Sequence, residues 1–410
     1  NDDPSARDIW DRIDRVSDEE LWRTHERRRE RLVAFSRMRL SASMQRLGVT
    51  DSALLQAGDA LSPYALTLSF ARRFATYKRP TLLLHDPERL LGLLTVPQRP
   101  VQIIIAGKAH PADLEGQGMI QEWTRFARRP EACKQVIFLS DYDMLLTGRL
   151  VQGVDVWINT PRRPWEACGT SGMKVLVNGG INLSELDGWW AEAYTPEVGW
   201  ALGDRQEHED DPAWDAAEAE SLYTLLEREV IPQFYARDPD GIPAAWVARM
   251  RESMGRLTPR FSANRTVREY TERYYIPIAA AYRERAADKG AKGVQLVNWR
   301  RAVEESWPNL RFGEMKVGND GGKQVFEVQV YLGGLDPNTV RVELYADGVN
   351  GGEPVRHEMM RGGQWMGGNG YTYSAQVPAE RPATDYTARV LPHCAGVAVP
   401  LEAARILWQR

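Results

Sequence analysis

One stretch of the sequence combines a glycine-containing loop with hydroxyls and an amine. Residues 165–187 read WEACGTSGMKVLVNGGINLSELD; this stretch follows the apolar run VDVWIN, and its loop GTSG opens an apparent helix. The first turn of a helix offers free backbone N–H groups and favours an anion such as phosphate, and Thr170 and Ser171 could add hydroxyl donors. The loop lacks the GxxxxGK[ST] spacing of a nucleotide P-loop. The pattern therefore indicates either a phosphate site or a simple tight turn.

Lys174 lies near the first turn of that helix, among Met173, Val175 and Leu176. An apolar setting favours the uncharged amine, which is the form that condenses with an aldehyde to give a Schiff base. The alternative, given equal weight, is a lysine whose head simply reaches solvent.

A second cluster follows another apolar run, LTLSF, and reads SFARRFATYKRP over residues 69–80. Its four cations lie around the aromatic pair Phe74 and Tyr77: Arg72, Arg73, Lys78 and Arg79. A loop at the carboxyl end of a parallel strand is where α/β sheets bind ligands, and such a cluster suits one or two phosphate dianions. A basic surface turn is the alternative.

A third segment, IIIAGKAHP, ends in His110. A histidine at this place suits a cap or a packing partner as well as a catalytic role, so both interpretations stay open.

The elements that must position these residues alternate along the middle of the chain. The short apolar runs LTLSF, VQIIIA, QVIFL and VDVWIN are separated by helix-like segments near residues 80–95, 112–128, 142–151 and 170–178. Continuous hydrophobicity is typical of strands buried on both faces of a parallel sheet. The pattern predicts a doubly wound α/β domain.

The flanking regions differ from this domain. Residues 1–60 are charged and helix-like, with Ser17 as the predicted N-cap and Glu20 three residues later. The basic run Arg27–Arg29 is better explained by a solvated helix face than by a phosphate site, because acidic residues are interspersed. Residues 212–285 are largely helical in pattern.

The last hundred residues show period-two alternation between turn clusters, which predicts a small all-β sandwich. The expected strands are Gln324–Tyr331, Val340–Tyr345, Tyr371–Val377 and Asp385–Val390. We expect residues 1–60 to form a helical segment, residues 61–290 the α/β domain and residues 295–410 an immunoglobulin-like β-sandwich.

Composition excludes several classes of protein. Of 410 residues, 52 are Lys or Arg and 56 are Asp or Glu, giving a net charge of −4 that does not favour nucleic acid as a partner. With 43% hydrophobic residues, extensive disorder is not expected. Three cysteines, Cys133, Cys168 and Cys394, suggest a cytoplasmic, reducing compartment. No spacing predicts a metal site, and no apolar run reaches the length of about 18 residues that a membrane span needs.

Five of these segments, in order, make the chain resemble the carboxyl-terminal half of the α-glucan (glycogen, starch or maltodextrin) phosphorylase family. EACGTSGMK resembles the family's EASGTGNMK, ARRFATYKRP its KRIHEYKR, IIAGKAHP its GGKA segment, and VIFLSDYD its VIFLENY segment. FSANRTVREY at 261–270 resembles the opening of a late helix, and LDGWWAEAY the short bacterial and archaeal branch. The resemblance implies the Rossmann-like carboxyl-terminal domain of a glycosyltransferase type B fold.

The resemblance also implies a role for each matching residue. Lys174 stands where the family holds pyridoxal 5′-phosphate (PLP) as a Schiff base, and Tyr142 matches a tyrosine beside the pyridoxal ring. The phosphates of cofactor and substrate would contact Arg72, Arg73 and Lys78, with Thr170 and Ser171 also at the cofactor phosphate. Positions matching the sugar site are Glu166, Gly169 and Tyr77. Lys174, Arg73 and Lys78 are the implied catalytic residues.

The implied reaction is phosphorolysis of α-1,4-glucan by inorganic phosphate to α-glucose 1-phosphate, with the PLP phosphate as acid and base. Two departures limit the transfer of roles. Arg72 replaces the family's usual lysine, and Asp143 stands where the family has an arginine, so that contact is not carried over. Ser171–Gly172 replaces Gly-Asn, which leaves the backbone donors in place.

Two alternatives remain from the sequence. A nucleotide-sugar glycosyltransferase such as a glycogen synthase often carries two glutamates with seven residues between them, whereas here Lys174 follows Glu166 at that spacing. A non-catalytic glucan-binding subunit is the other, because the family's amino-terminal half is not evident.

We expect a fragment of a longer enzyme, weakly binding PLP and nearly inactive by itself, which could form a homo-oligomer through the missing half. Trp365, Tyr371 and Tyr373 could stack on glucan rings, although a role in the sandwich core is favoured.

Overall fold

A computed structural model describes residues 3–50, 55, 57–349, 352–364 and 370–409. The chain divides into two compact units, Asn1–Arg268 and Glu269–Arg410. This division groups residues 269–290 with the second unit, and the boundary expected near residue 290 stays a prediction.

The first unit is built on a parallel sheet of six strands in the order β3-β2-β1-β4-β5-β6. The strands are β1 Leu66–Ala71, β2 Val101–Ala106, β3 Val136–Leu139, β4 Val156–Asn159, β5 Ile181–Glu185 and β6 Gly199–Leu202. The four predicted strands are confirmed. β5 and β6 were not predicted, because they lie in a stretch interpreted as a site motif and in the segment after it.

Alternate hydrophobic residues along a strand pack into two different hydrophobic cores, one on each face of the sheet. On β2, Ile103 and Ile105 belong to one cluster with Phe70, whereas Ile104 and Ala106 belong to another with Ala71. Because successive side chains point to opposite faces, both faces of the sheet are covered, which explains the uninterrupted apolar runs.

Helices connect the strands. In the described part of the chain the α-helices are α1 Arg7–Trp10, α2 Asp18–Arg46, α3 Pro87–Leu94, α4 Leu114–Ala127, α5 Met144–Gly153, α6 Ser171–Leu176, α7 Gly188–Ala193, α8 Pro212–Leu225, α9 Ile231–Tyr235, α10 Ala244–Arg260, α11 Ala263–Tyr270 and α12 Ile276–Ser306. Short π-helices at Leu226–Val230 and Thr271–Tyr275 lie between α8 and α9 and between α11 and α12. Residues 287–290 interrupt α12 with non-helical backbone.

Helix α2 begins as predicted, with the Ser17 hydroxyl accepting from the Glu20 N–H at 3.1 Å. The basic run on this helix behaves in two ways. Arg27 and Arg28 are exposed, as expected for a solvated face, but Arg29 is buried. Neither sequence interpretation anticipated a buried arginine here, because its partner is distant in sequence.

That partner is Asp155, just before β4. Its carboxylate accepts from Arg29 Nη1 at 2.6 Å and from the Thr67 N–H at 2.8 Å, and His25 Nε2 lies 2.9 Å away. Burial by itself would raise the pKa of Asp155, but the Arg29 charge and the hydrogen bonds bring it below the usual value. This network joins α2 to the amino-terminal edge of the sheet.

The second unit carries two antiparallel four-stranded sheets, β10-β9-β13-β14 and β11-β12-β8-β7. The strands are β7 Arg311–Asp320, β8 Lys323–Tyr331, β9 Val340–Ala346, β10 Val355–Glu358, β11 Met360–Gln364, β12 Gly370–Pro378, β13 Thr387–Pro392 and β14 Leu407–Trp408. Residues of both sheets, among them Phe326 and Leu344, share one hydrophobic core. Antiparallel strands at the carboxyl end were thus predicted correctly.

The aromatic residues considered for glucan stacking are largely accounted for by this core. Tyr373 is 3% exposed, and Tyr371 is partly buried against the same cluster. Trp365 lies outside the described residues. Elsewhere, no described helix is both long and apolar enough to cross a membrane.

Asp155→Asn removes the close carboxylate partner of the buried Arg29 and leaves it the more distant Glu26, whose Oε1 lies 3.9 Å from Arg29 Nη2. We therefore expect a loss of about 3 kcal/mol in free energy of unfolding, at the lower end for a broken buried ion pair. Urea denaturation followed by circular dichroism measures this. Arg28→Ala removes a neighbouring exposed arginine whose side chain donates to Gln152 Oε1 at 2.9 Å; it is the matched control and should change stability by about 0.5 kcal/mol or less. Equal stability of the Asp155 variant and wild type would contradict the assigned role.

Candidate functional site

The candidate site lies at the carboxyl ends of β1 and β4, the adjacent central strands. Starting at β1, the chain proceeds through β2 and β3 in one direction, then crosses back to β4 and continues in the other. Ligands bind open parallel sheets at such a reversal, because the loops after the two strands diverge and leave a crevice. The two motifs with phosphate character occupy these two loops.

Arg72 is the first residue after β1 and is 9% exposed. Its Nη2 lies 2.9 Å from Glu166 Oε2, whereas Nε and Nη1 are buried without a hydrogen-bond acceptor among the described residues. Burial lowers the pKa of Arg72, and the negative charge of Glu166 opposes this effect. The guanidinium therefore offers two donors to an additional anion.

Lys78 brings a second buried cation to the same carboxylate. Its Nζ donates to Glu166 at 3.1 Å (Oε2) and 3.4 Å (Oε1), and it lies 5.1 Å from the centre of the Tyr77 ring. The Tyr77 ring in turn lies 6.4 Å from that of Trp165, whose side chain is 67% exposed. The structure thus brings together Arg72, Lys78, Tyr77 and Glu166.

Two further predicted site residues, Tyr142 and Arg73, lie in environments that differ from each other. Tyr142 donates its hydroxyl to the Ala71 carbonyl at 3.1 Å and is close enough to Arg72 to interact with its charge. Arg73 is exposed, with no ion pair found among the described residues. Asp143, the departure from the family pattern, caps α5 by accepting from the Leu146 N–H at 2.7 Å.

The loop that carries Glu166 is fixed by its backbone. The Glu166 N–H donates to Asp187 Oδ2 at 2.9 Å, and the Cys168 carbonyl accepts from the Trp189 N–H at 3.0 Å. Gly169 has φ +79°, a conformation that favours glycine. Asp187 therefore positions Glu166, and the sequence analysis missed this role; only its place before Gly188 hints at a cap.

Lys174 lies on the exposed side of α6. Its Nζ donates to Thr170 Oγ1 at 3.0 Å, and Ser171 Oγ accepts from Trp157 Nε1 at 3.2 Å. The expected apolar setting is wrong for this amine, because Val175 and Leu176 face the interior while Lys174 points away from them. Burial raises the pKa of the nearby Cys168 thiol, whereas the Lys174 charge lowers it, so the amine lies within electrostatic reach of the Glu166 loop.

Arg79, counted from sequence among the phosphate-binding cations, has a different role. It is 6% exposed and donates to the carbonyls of Thr160 and Pro161 at 3.0 and 3.1 Å and to Asp215 at 2.9 Å. Thr160 Oγ1 also donates to the Lys78 carbonyl at 3.1 Å. These bonds clamp the loop after β1 to the loop after β4.

Arg79 also contacts two buried carboxyl groups, Glu185 and Glu218. Burial raises the pKa of Glu185 to about 9, and the hydrogen bond and charge of Glu218 add to this effect while Arg79 opposes it. The raised pKa favours the protonated form of Glu185, and a neutral carboxyl can share one arginine with a second carboxyl group.

The third sequence motif has a structural role in this chain. His110 is exposed, and its Nδ1 accepts from the Ala112 N–H at 3.1 Å, which agrees with the cap-like interpretation. A Cβ at Gly107 would lie 2.2 Å from the Arg72 carbonyl oxygen, so only glycine allows β2 to end beside the arginine. Among the described residues, no group of three His, Cys, Asp or Glu side chains is arranged to hold a metal ion.

Comparisons with known proteins agree with the motifs. A family profile described as "Glycogen phosphorylase C-terminal domain" matches residues 307–410. The glycogen phosphorylase of Mycobacterium tuberculosis is 41% identical over 395 residues, covering 94% of this chain and 46% of the relative. The maltodextrin phosphorylase of Thermococcus litoralis is 36% identical, and the alignment covers 94% of this chain and 46% of the relative. The glycogen phosphorylase of Aquifex aeolicus is 44% identical, and the alignment covers 66% of this chain and 39% of the relative.

This chain belongs to the glycogen phosphorylase family. It spans about half the length of the curated relatives that it matches. The resemblance drawn from five short motifs is therefore confirmed over 94% of this phosphorylase-family chain.

Glu185→Gln mimics the protonated carboxyl group, so comparing the pH dependence of its stability with that of wild type tests the raised pKa of Glu185 beside Arg79. Because the folded pKa of Glu185 lies above the unfolded value, its stabilising contribution is full below about pH 4.5 and is lost progressively as pH rises to about 9. We expect wild-type stability in urea to fall more steeply than that of the variant from about pH 5 to about pH 9. Parallel pH profiles would show that Glu185 is already ionised in the folded protein.

Proposed function

We propose that this chain provides the cofactor- and phosphate-binding part of an α-glucan phosphorylase, a glycosyltransferase that cleaves α-1,4-glucan with inorganic phosphate to give α-glucose 1-phosphate. The observation that carries the proposal is the pair of buried cations, Arg72 and Lys78, at the reversal of strand order, with two nitrogens of Arg72, Nε and Nη1, that have no partner among the described residues. Buried cations with free donors suit a phosphate group, which accepts several charge-assisted hydrogen bonds.

The residues present fit pyridoxal 5′-phosphate. An accessible amine, Lys174, can condense with its aldehyde, and the free donors of Arg72 suit its phosphate. Thr170 and Ser171 lie beside this amine in the same loop and helix, and Tyr142 contacts the strand end next to Arg72. When bound, the cofactor would supply a phosphate group that donates and accepts a proton.

The remaining roles concern binding of phosphate and sugar. Arg72 and Lys78 would hold inorganic phosphate by charge, and the exposed Arg73 would add a third positive charge from the solvent side. Glu166 and the loop at Gly169 would bind sugar hydroxyls, with the Tyr77 ring beside them. Because Arg79 holds the two loops together, we infer that it keeps these groups at a fixed separation.

Three broader assignments accompany this function. We infer that the first unit is a Rossmann-like domain of a glycosyltransferase type B fold, because its strand order is that of doubly wound nucleotide-binding sheets. The second unit is proposed as an immunoglobulin-like sandwich. The proposed partners are α-1,4-glucan and inorganic phosphate, and a second copy of the enzyme; the proposed location is the cytoplasm.

Lys174→Ala should abolish the visible absorbance band that develops when wild type is mixed with PLP, because Lys174 is the exposed amine proposed to form the Schiff base, whereas Lys78 is buried against Glu166. Lys108→Ala, which removes another exposed lysine at the carboxyl edge of the sheet, should leave the band intact. Borohydride reduction followed by peptide mapping would locate the modified lysine. Labelling of Lys108 or of scattered lysines instead of Lys174 would contradict the cofactor assignment.

Phosphorolysis is measured as glucose 1-phosphate released from maltoheptaose and phosphate. From the chain by itself we expect little release, because the family resemblance places the sugar in a cleft between two α/β domains and the described residues contain one parallel sheet. Robust release from the 410-residue chain, lost in Lys174→Ala, would support the activity and overturn the expectation of a low rate.

A further inference from the structure

The carboxylate of Glu166 occupies a place where an anionic ligand would otherwise bind. One oxygen, Oε2, lies 2.9 Å from Arg72 Nη2 and 3.1 Å from Lys78 Nζ, so it bridges the two cations. The side chains of all three residues are at most 12% exposed. A bridging carboxylate oxygen between two cations reproduces what one phosphate oxygen would do there.

The charges in this cluster do not balance. Two cations face one carboxylate, and Arg72 keeps two buried nitrogens, Nε and Nη1, without an acceptor in the described part of the chain. The cluster therefore attracts a further anion. Glu166 reduces that attraction, because at this distance and in a partly buried setting its negative charge opposes the binding of any phosphate to the same cations.

We propose that Glu166 is an internal competitor of phosphate for Arg72 and Lys78, and thereby sets the anion affinity of the site. This inference rests on the proposed function, because it concerns the same phosphate site. Phosphate binds most tightly when the Glu166 carboxylate withdraws from the bridging position or loses its charge.

A hydrogen bond fixes the backbone of Glu166, whereas its side-chain carboxylate is the group that would compete with phosphate. Asp187 accepts from the Glu166 N–H at 2.9 Å, which anchors the residue to the start of α7. The flanking residues Trp165 and Ala167 are exposed and the Glu166 side chain is 12% exposed, so this carboxylate lies close to solvent. Removal of the carboxylate charge should therefore leave the loop in place.

A sugar at the same site would favour phosphate through Glu166. Hydroxyl groups that donate to the carboxylate take up its lone pairs and weaken its hold on Arg72 and Lys78. Binding of sugar and of phosphate would then support each other, and by linkage the effect is equal in both directions.

The test is the affinity of the full chain for inorganic phosphate, titrated calorimetrically at constant ionic strength. Glu166→Gln keeps the size of the side chain and removes its charge, so we expect phosphate to bind roughly tenfold more tightly than in wild type. Glu166→Asp retains the charge on a shorter side chain, and we expect an intermediate affinity. Lys78→Met in the Glu166→Gln background should remove most of the gain.

Glu192→Gln is the matched control. Glu192 acts on Cys168 through its charge, as Glu166 does, but no described contact joins it to Arg72 or Lys78. We expect no change in phosphate affinity for this variant. An equal gain in Glu192→Gln would overturn the proposal, because general charge rather than competition would then explain the effect.

Unchanged or weaker phosphate binding by Glu166→Gln would also overturn the proposal and show that the carboxylate instead organises the two cations. Absence of binding by wild type and by both Glu166 variants would do the same. The absorbance band of PLP bound at Lys174, measured on the same samples, reports separately on the proposed function: its presence with unaltered phosphate affinity would reject the competition alone. Circular dichroism melting curves verify that each variant is folded.

Discussion

Two cations held inside a protein near a single carboxylate are the constraint around which the candidate site is arranged. Taking Arg72 and Lys78 out of water is costly, and Glu166 offsets that cost only in part. The residual positive charge and the unpartnered donors of Arg72 remain available for an anion. Such a site must be kept rigid by other residues, because cations free to move would turn toward solvent.

Buried carboxyl groups at the two ends of the parallel strands hold neighbouring elements to the sheet, and their pKa values are shifted in opposite directions. Asp155, at the amino-terminal edge, has Arg29, His25 and a backbone N–H as partners, so its pKa is lowered. Glu185, at the end of β5, shares Arg79 with Glu218, so burial and repulsion raise its pKa to about 9. The environment thus favours the charged carboxylate of Asp155 and the neutral carboxyl group of Glu185, because the two residues have different numbers of cations and carboxyl groups within reach.

Family membership and site geometry support each other without being equivalent. Two of the three relatives align with 94% of the chain and the third with 66%, but the chain spans less than half of their length, so the complete reaction is a proposal. The geometry adds what similarity does not supply. Arg79 turns away from the other cations to clamp two loops, and Glu166 faces two cations as well as the place proposed for sugar.

Much of the fold followed from local patterns. Strands buried on both faces are continuous apolar runs, so β1 to β4 could be predicted, and the alternating strands β8, β9, β12 and β13 were recognisable in the same way. β5 escaped because polar residues such as Asn182 and Ser184 interrupt it, and these residues are tolerated inside only through tertiary contacts. β6 is a run of only four residues that begins with glycine, so its hydrophobic signal is short. Edge strands such as β10 and β11 are short and exposed, and carry little hydrophobic signal.

The sequence by itself determined the family, the presence of the two loops rich in cations, hydroxyls and glycine, and the order in which they follow their strands. Only the tertiary structure decided which cation is buried and which is exposed, that Arg72 and Lys78 meet Glu166, and that Arg29 finds Asp155 more than a hundred residues away. The physical reason is that residue type and spacing encode local conformation. Burial and ion pairing instead depend on segments that are distant in sequence and meet only when the strands assemble into the sheet.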